Sequence, residues 1–171
     1  LTKLYGVNAL YAAGNDTYKF NDTEGVFVID GAGIDHIDCK GSAFNIFIDL
    51  RPGSHSYEGE RENFITSPRQ LTISHGSDIE NVSTGPGDDI IIGNDLDNVI
   101  NTANGSDIIF AGNGADIVVP GFGDDFIDLS EDIPSEDKLI FEFLSTGENT
   151  KLVYGFKQGA GGDIIKFENL G

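Results

Sequence analysis

The chain has 171 residues, enough for one domain with a substantial buried core. Its 29 acidic residues against 10 basic ones leave a formal net charge of −19, which repels nucleic acid and anionic membrane surfaces. A hydrophobic content of 39% with 10% aromatics argues against a disordered acidic tail, and a single cysteine rules out an intrachain disulfide.

So many carboxylates need cations. About five Ca²⁺ would neutralise roughly ten charges and remove most of the self-repulsion. Calcium would also replace disulfides as the staple of a secreted chain. No apolar run approaches membrane-spanning length, so no membrane insertion is expected. Leu1 does not begin a signal peptide, and both ends read as those of a segment of something longer.

In chain order, VFVID (26–30) reads as a strand. The turn DGAGIDHID (30–38) follows, with Asp30, Asp38 and the pair Asp35 and Ile37. FNIFIDL (44–50) reads as a second strand, placing Phe44, Ile46, Ile48 and Leu50 on one face. RPGSHSYEGERENFITSPR (51–69) is a long loop holding Arg51, Arg61 and Arg69 with His55, Tyr57 and Phe64.

Period nine then takes over. Residues 84–128 read TGPGDDIII, GNDLDNVIN, TANGSDIIF, AGNGADIVV, PGFGDDFID. The sixth position is Asp89, Asn98, Asp107, Asp116 and Asp125, and the eighth is Ile91, Ile100, Ile109, Val118 and Ile127. Six residues make a turn and three a short strand whose middle side chain points inward. Two repeats complete a coil, so alternate turns stack at strand spacing, ~4.8 Å. Stacked turns can offer carboxylates and carbonyls to Ca²⁺, which takes six to eight oxygens at ~2.3–2.6 Å. The predicted pairs are Asp89 with Asp107, Asp107 with Asp125, and Asn98 with Asp116. Asp88, Asp97 and Asp124 in the same turns are further candidate ligands, as are Asp30, Asp35 and Glu80, which lies nine residues before Asp89. The turn residues Asp16 and Asp163 are weaker ones. Asn98 and Leu96, where the other repeats have Asp and Gly, predict a weaker site with water or a ligand oxygen completing it.

The seventh and ninth positions carry Ile90, Ile92, Ile108, Phe110 and Phe126 towards one outer face, and Val99, Ile117 and Val119 towards the other. Apolar faces need a cover, which segments 1–83 and 129–171 are expected to supply, a partner surface being the alternative. Beyond the repeats, KLIFEFL (138–144) and KLVYGF (151–156) read as a hairpin, and DIIKFE (163–168) as a closing strand.

The nonapeptides resemble RTX repeats. GNDTYKF (14–20), DGAGIDHID (30–38), FNIFIDLRPGSHS (44–56) and ISHGSDIENVSTGPGDDIIIGNDLDN (73–98) further resemble the C-terminal domain of serralysin-type metalloproteases. The resemblance implies an all-β fold, a calcium-bound parallel β-roll merged with a β-sandwich, holding several Ca²⁺ ions. One calcium-dependent domain would span 1–171, with sandwich strands and loop in 1–83, the roll in 84–128, and a hairpin and strand in 129–171. It also implies secretion, by the type I route, or display on the bacterial cell surface.

Catalysis in that family needs a zinc motif on a separate domain. His36, His55 and His75 form no such motif, Cys39 has no activating neighbour in sequence, and the paired acids belong to the repeats, so no enzyme is expected. Three functions follow. The first is a peptide-binding module of a large RTX adhesin, attaching bacteria to a peptide or protein ligand on other cells. Arg51, His55, Tyr57, Arg61 and Arg69 would clamp a carboxylate-bearing ligand. The second is the secretion and folding module of a serralysin-like protease. The third is a carbohydrate-binding module, for which exposed aromatics are few. As an isolated domain the chain is expected to be monomeric.

Overall fold

A computed structural model describes residues 12–143 and 149–169. Short strands follow turns throughout: β1 (Thr17–Tyr18), β2 (Val26–Val28), β3 (His36–Asp38), β4 (Ile46–Asp49), β5 (His55–Glu58), β6 (Gln70–Ile73), β7 (Asn81–Ser83) and β8 (Ile90–Ile92). The second half adds β9 (Val99–Asn101), β10 (Ile108–Phe110), β11 (Ile117–Val119), β12 (Asp125–Asp128), β13 (Lys138–Phe143), β14 (Lys151–Tyr154) and β15 (Ile164–Asn169). The protein is all-β, and no helix occurs among the described residues.

Apart from β4, β5 and β6, which share a sheet, successive strands alternate between two sheets, as a two-repeat coil requires. One sheet runs β1-β3-β7-β9-β11-β13-β15 and the other β14-β12-β10-β8-β4-β5-β6-β2. Every pairing is parallel except β4 with β5 and β5 with β6, where residues 51–69 insert an antiparallel excursion into the roll.

The inward side chains stack in two columns at equal register. One runs Ile48, Ile91, Ile109, Ile127, Val153, and the other Ile37, Val82, Ile100, Val118, Leu139, with Ile165 in register beyond them but exposed. Ile91, Ile100, Ile109, Val118 and Ile127 are all 0% exposed, which bears out the inward assignment of the eighth position. Each contributes about 1.5–3 kcal/mol by leaving water. Ile46, Ile48 and Leu50 are buried as predicted, but Phe44 precedes β4 and is exposed.

Two expectations are overturned. Among the described residues, segments 12–83 and 129–169 do not cover the roll's outer faces; their strands lengthen it at both ends. Ile90, Val99, Ile108 and Phe110 remain 37–41% exposed. An incoming strand gains a full ladder of backbone hydrogen bonds at an open edge, which a lid across the face would not provide. The second correction concerns 138–156. β13 and β14 are no hairpin: β14 joins β12 in one sheet while β13 joins β11 in the other, because the alternation of the roll continues through them.

Candidate calcium sites

The turns stack into two rows, one along each edge of the roll. Register places Asp89 and Asp107, just before β8 and β10, in line with Asp125 at the start of β12. Along the opposite edge Asp16, Asp35, Glu80, Asn98, Asp116, Asp137 and Asp163 stand in line before the strands of the other sheet. The stacking is close: a Cβ on Gly105 would lie 2.1 Å from the Gly87 carbonyl oxygen, and Gly105 has φ +136°. Only glycine fits that backbone and lets the carbonyls crowd the turn interior.

Each row has the same wiring. The Asp89 amide donates to Asp107 Oδ1 at 2.9 Å, Asp107 to Asp125 Oδ1 at 2.9 Å, Asn98 to Asp116 Oδ1 at 2.8 Å and Asp116 to Asp137 Oδ1 at 2.9 Å. The three predicted pairs are therefore brought together. One carboxylate oxygen clips the preceding turn, and on each of these acids except Asp125 the other is left over. Among the described residues the buried oxygens without a partner are Asp30 Oδ1, Asp35 Oδ2, Asp89 Oδ2, Asp107 Oδ2, Asp116 Oδ2 and Asp137 Oδ2. A buried carboxylate so placed must take a proton or a cation. Burial accordingly pushes Asp89 up to about 6, Asp107 to about 7, Asp116 to about 8 and Asp137 to about 6, against an ordinary value of 3.8. Carboxylates stacked in a row add mutual repulsion, as between Asp116 and Asp137. The donor set is all oxygen and carries surplus negative charge, so it fits a hard cation such as Ca²⁺.

Asn98 behaves differently from its neighbours. Its amide nitrogen donates to Asn94 Oδ1 at 2.9 Å, while its Oδ1 accepts from the Asn94 backbone at 3.0 Å. Asn94 in turn donates to the carbonyls of Ile79 and Leu50, so a neutral amide pair closes this turn. Glu80 accepts the Asp35 amide at 2.7 Å and continues the row as its spacing predicts. Asp88, Asp97 and Asp124 are exposed; each accepts a backbone N–H from the next turn, that of Ser106 at 2.8 Å, Ala115 at 2.8 Å and Thr150 at 2.7 Å. They clip neighbouring turns together from outside.

At the N-terminal end, Asp16, Asp30 and Asp35 hold carboxylate oxygens within 4.8 Å of one another. Tyr18 donates to Asp30, and burial raises Asp35, with the Asp30 charge adding to the rise. Asp137 is absent from the sequence expectations. It lies 21 residues after Asp116 rather than 18, but its triplet Asp137-Lys138-Leu139 repeats the acid-x-aliphatic signature of the repeats. Asp163 closes the row, accepting the Asp137 amide at 3.2 Å and that of Lys157 at 2.7 Å.

The loop residues singled out as a ligand clamp are mostly engaged within the chain. Arg51 makes a bidentate pair with Asp49 at 2.9 and 2.6 Å. Arg69 pairs with Asp22 at 2.9 Å and lies 4.3 Å over the Phe44 ring. His55 hydrogen-bonds Thr72 and Gln70 at 2.9 and 3.0 Å, and Tyr57 stacks on Phe47. Arg61 is exposed. Arg51 and Arg69 line different cavities, of about 310 and 610 Å³. Elsewhere, His36 meets Ser83 at 3.0 Å. Cys39 is buried, which raises its thiol to about 12, helped by Glu58, Asp38 and Asp89. A thiol so protonated is not a nucleophile.

Comparison with known proteins agrees with this geometry. Residues 76–95 and 92–127 match the family of the RTX calcium-binding nonapeptide repeat. The match starts in the turn that ends at Glu80. The chain is also similar to metallopeptidase AprA of Pseudomonas marginalis, 36% identical over 114 residues, which cover 58% of this chain and 23% of that protein. Serralysin of Proteus mirabilis is 33% identical over 111 residues, covering 57% and 21%. The chain thus spans less than a quarter of the length of these relatives. Residues 76–127 are RTX repeats, and calcium is their cofactor.

Proposed function

We propose that this chain is a calcium-gated folding module of an exported protein and that it carries no catalytic centre of its own. The observation that supports this most is the two rows of buried, unpartnered carboxylate oxygens, on Asp89 and Asp107 along one edge and on Asp116 and Asp137 along the other, with Asp30 and Asp35 at the N-terminal end. We assign these six residues as the calcium-holding carboxylates, with Glu80 as a neighbouring member of the row of Asp35, Asp116 and Asp137. Without cations the repulsion along each row opposes stacking; with them, one ion per pair of turns joins successive coils. Such a chain stays open where calcium is scarce and folds where it is abundant, which suits export followed by folding outside the cell. The relatives are proteases, but the aligned parts are a fifth to a quarter of each, so the catalytic role of those proteins does not transfer to this segment.

Peptide capture at a cell surface, as in an RTX adhesin, is the second reading. It rests on the exposed Arg61 in the 51–69 loop, since Arg51 and Arg69 already have acidic partners. A calcium titration of the chelated chain, followed by far-ultraviolet circular dichroism, tests the first reading. Cooperative folding at millimolar Ca²⁺ is expected; full β structure in excess chelator would refute it. A carboxylate-terminated peptide library, screened with and without calcium, tests the second: micromolar binding lost in Arg61→Ala would support it, and no binding would remove it.

A further inference from the structure

We infer that Lys151 is a built-in substitute for a calcium ion, closing the C-terminal end of one row of turns with the chain's own ammonium group. Register places Lys151 opposite Asp125, as Asp125 stands opposite Asp107 and Asp107 opposite Asp89. Lysine thus occupies the position that carries an acid in the preceding three turns. Its Nζ donates to the carbonyl of Gly121 at 2.8 Å and of Gly123 at 3.0 Å, and forms an ion pair with the Asp125 carboxylate. An ammonium has three donors, and all three are matched.

These three oxygens come from the second, fourth and sixth positions of the fifth repeat, the turn-lining set whose carbonyls glycine leaves open. The contrast along the row is direct. Asp89 and Asp107 each keep an unpartnered buried oxygen, whereas Asp125 does not. The wiring changes at the same point: the amides of Asp89 and Asp107 donate to the next carboxylate, but that of Asp125 donates to the Thr150 carbonyl. The pair is well enclosed, the Lys151 side chain being 13% exposed and that of Asp125 0%. A buried ammonium is costly unless its charge and donors are all satisfied, and here they are. The opposite row ends otherwise, on the carboxylates of Asp137 and Asp163.

The consequence is a clasp that holds β14 on β12 without metal, and one calcium fewer on this edge than the number of turn pairs would give. A calcium-free terminal turn leaves the last strand of this sheet seated before the ions arrive. The inference rests on the calcium reading above, but the two fail separately.

The experiment counts tightly bound Ca²⁺ by native mass spectrometry on the whole chain, for wild type, Lys151→Asp and Lys151→Arg. Lys151→Asp restores an acid at the terminal turn and is expected to bind one ion more than wild type, while Lys151→Arg binds the same number. Equal counts in folded wild type and Lys151→Asp would overturn the inference. A wild type that binds no calcium would overturn the parent reading instead. Nitrogen-15 NMR of the Lys151 ammonium in the calcium-loaded wild type provides a check that needs no variant. A slowly exchanging, hydrogen-bonded NH₃⁺ signal is expected, and the fast exchange of a solvent-exposed lysine would overturn the assignment.

Discussion

Asp107→Asn should change the sign of its effect on stability with calcium. In the wild type, Asp107 Oδ1 accepts the Asp89 amide and Oδ2 has no partner. Asparagine keeps the first contact and removes the charge. In chelator at pH 8, keeping Asp107 ionised in a site where burial raises it from 3.8 to about 7 costs about 4 kcal/mol, at about 1.4 kcal/mol per pH unit. Relaxation of the turn around the charge reduces that to about 2 kcal/mol. The variant escapes this cost, so in chelator it should be more stable than wild type by about 1–2 kcal/mol. With calcium at about 100 times its dissociation constant, one site contributes about 2.7 kcal/mol, and the variant loses most of it. The assay is urea unfolding at 25 °C followed by circular dichroism, with and without chelator. Equal destabilisation in both conditions would refute the reasoning, because it would mean that Asp107 acts through packing and not through a cation.

Ala103→Gly should stabilise the chain by about 1 kcal/mol in either condition, measured by the same unfolding curves: Ala103 sits at φ +61°, a left-handed conformation costly for a residue with a Cβ. Stability against pH should also depend on calcium. Asp89, Asp107 and Asp116 have folded values raised above 3.8, so in chelator their contribution is complete below about pH 4 and is lost as pH rises through 6 to 8. The melting temperature in chelator should therefore fall between pH 5 and 8, and should hold or rise in saturating calcium, which needs ionised carboxylates; a rise in chelator would contradict the buried-carboxylate account.

The roll itself was readable because a single spacing repeats without interruption. Ile91, Ile100, Ile109, Val118 and Ile127 lie nine apart, and so do the sixth-position residues, so core and turn edge follow from the same count. Legibility ended where the spacing slipped. Asp137 lies 21 residues after Asp116 and Lys151 lies 26 after Asp125, because longer connections enter those coils. Asp137-Lys138-Leu139 keeps the repeat's acid-x-aliphatic signature, whereas Lys151-Leu152-Val153 keeps only its strand residues. The same slip made 138–156 look like a hairpin, since local alternation cannot tell two strands of one sheet from two strands of facing sheets. The outer face failed for another reason. Phe110, Phe126 and Tyr154 shield one another, with ring centroids 6.0 and 5.3 Å apart, so neighbouring strands provide part of the cover expected from a lid. The internal pairings of the 51–69 loop were illegible because acids distant in sequence, such as Asp22 beside Arg69, come near only in the fold.

The central claim is that the unpartnered carboxylate oxygens of the two rows hold calcium. Anomalous diffraction from crystals grown in calcium tests it most directly. Peaks are expected at about 2.3–2.6 Å from Oδ2 of Asp89, Asp107 and Asp116, with none at the position of the Lys151 ammonium. A map with no anomalous density beside those oxygens, from a chain that is nevertheless folded, would contradict it.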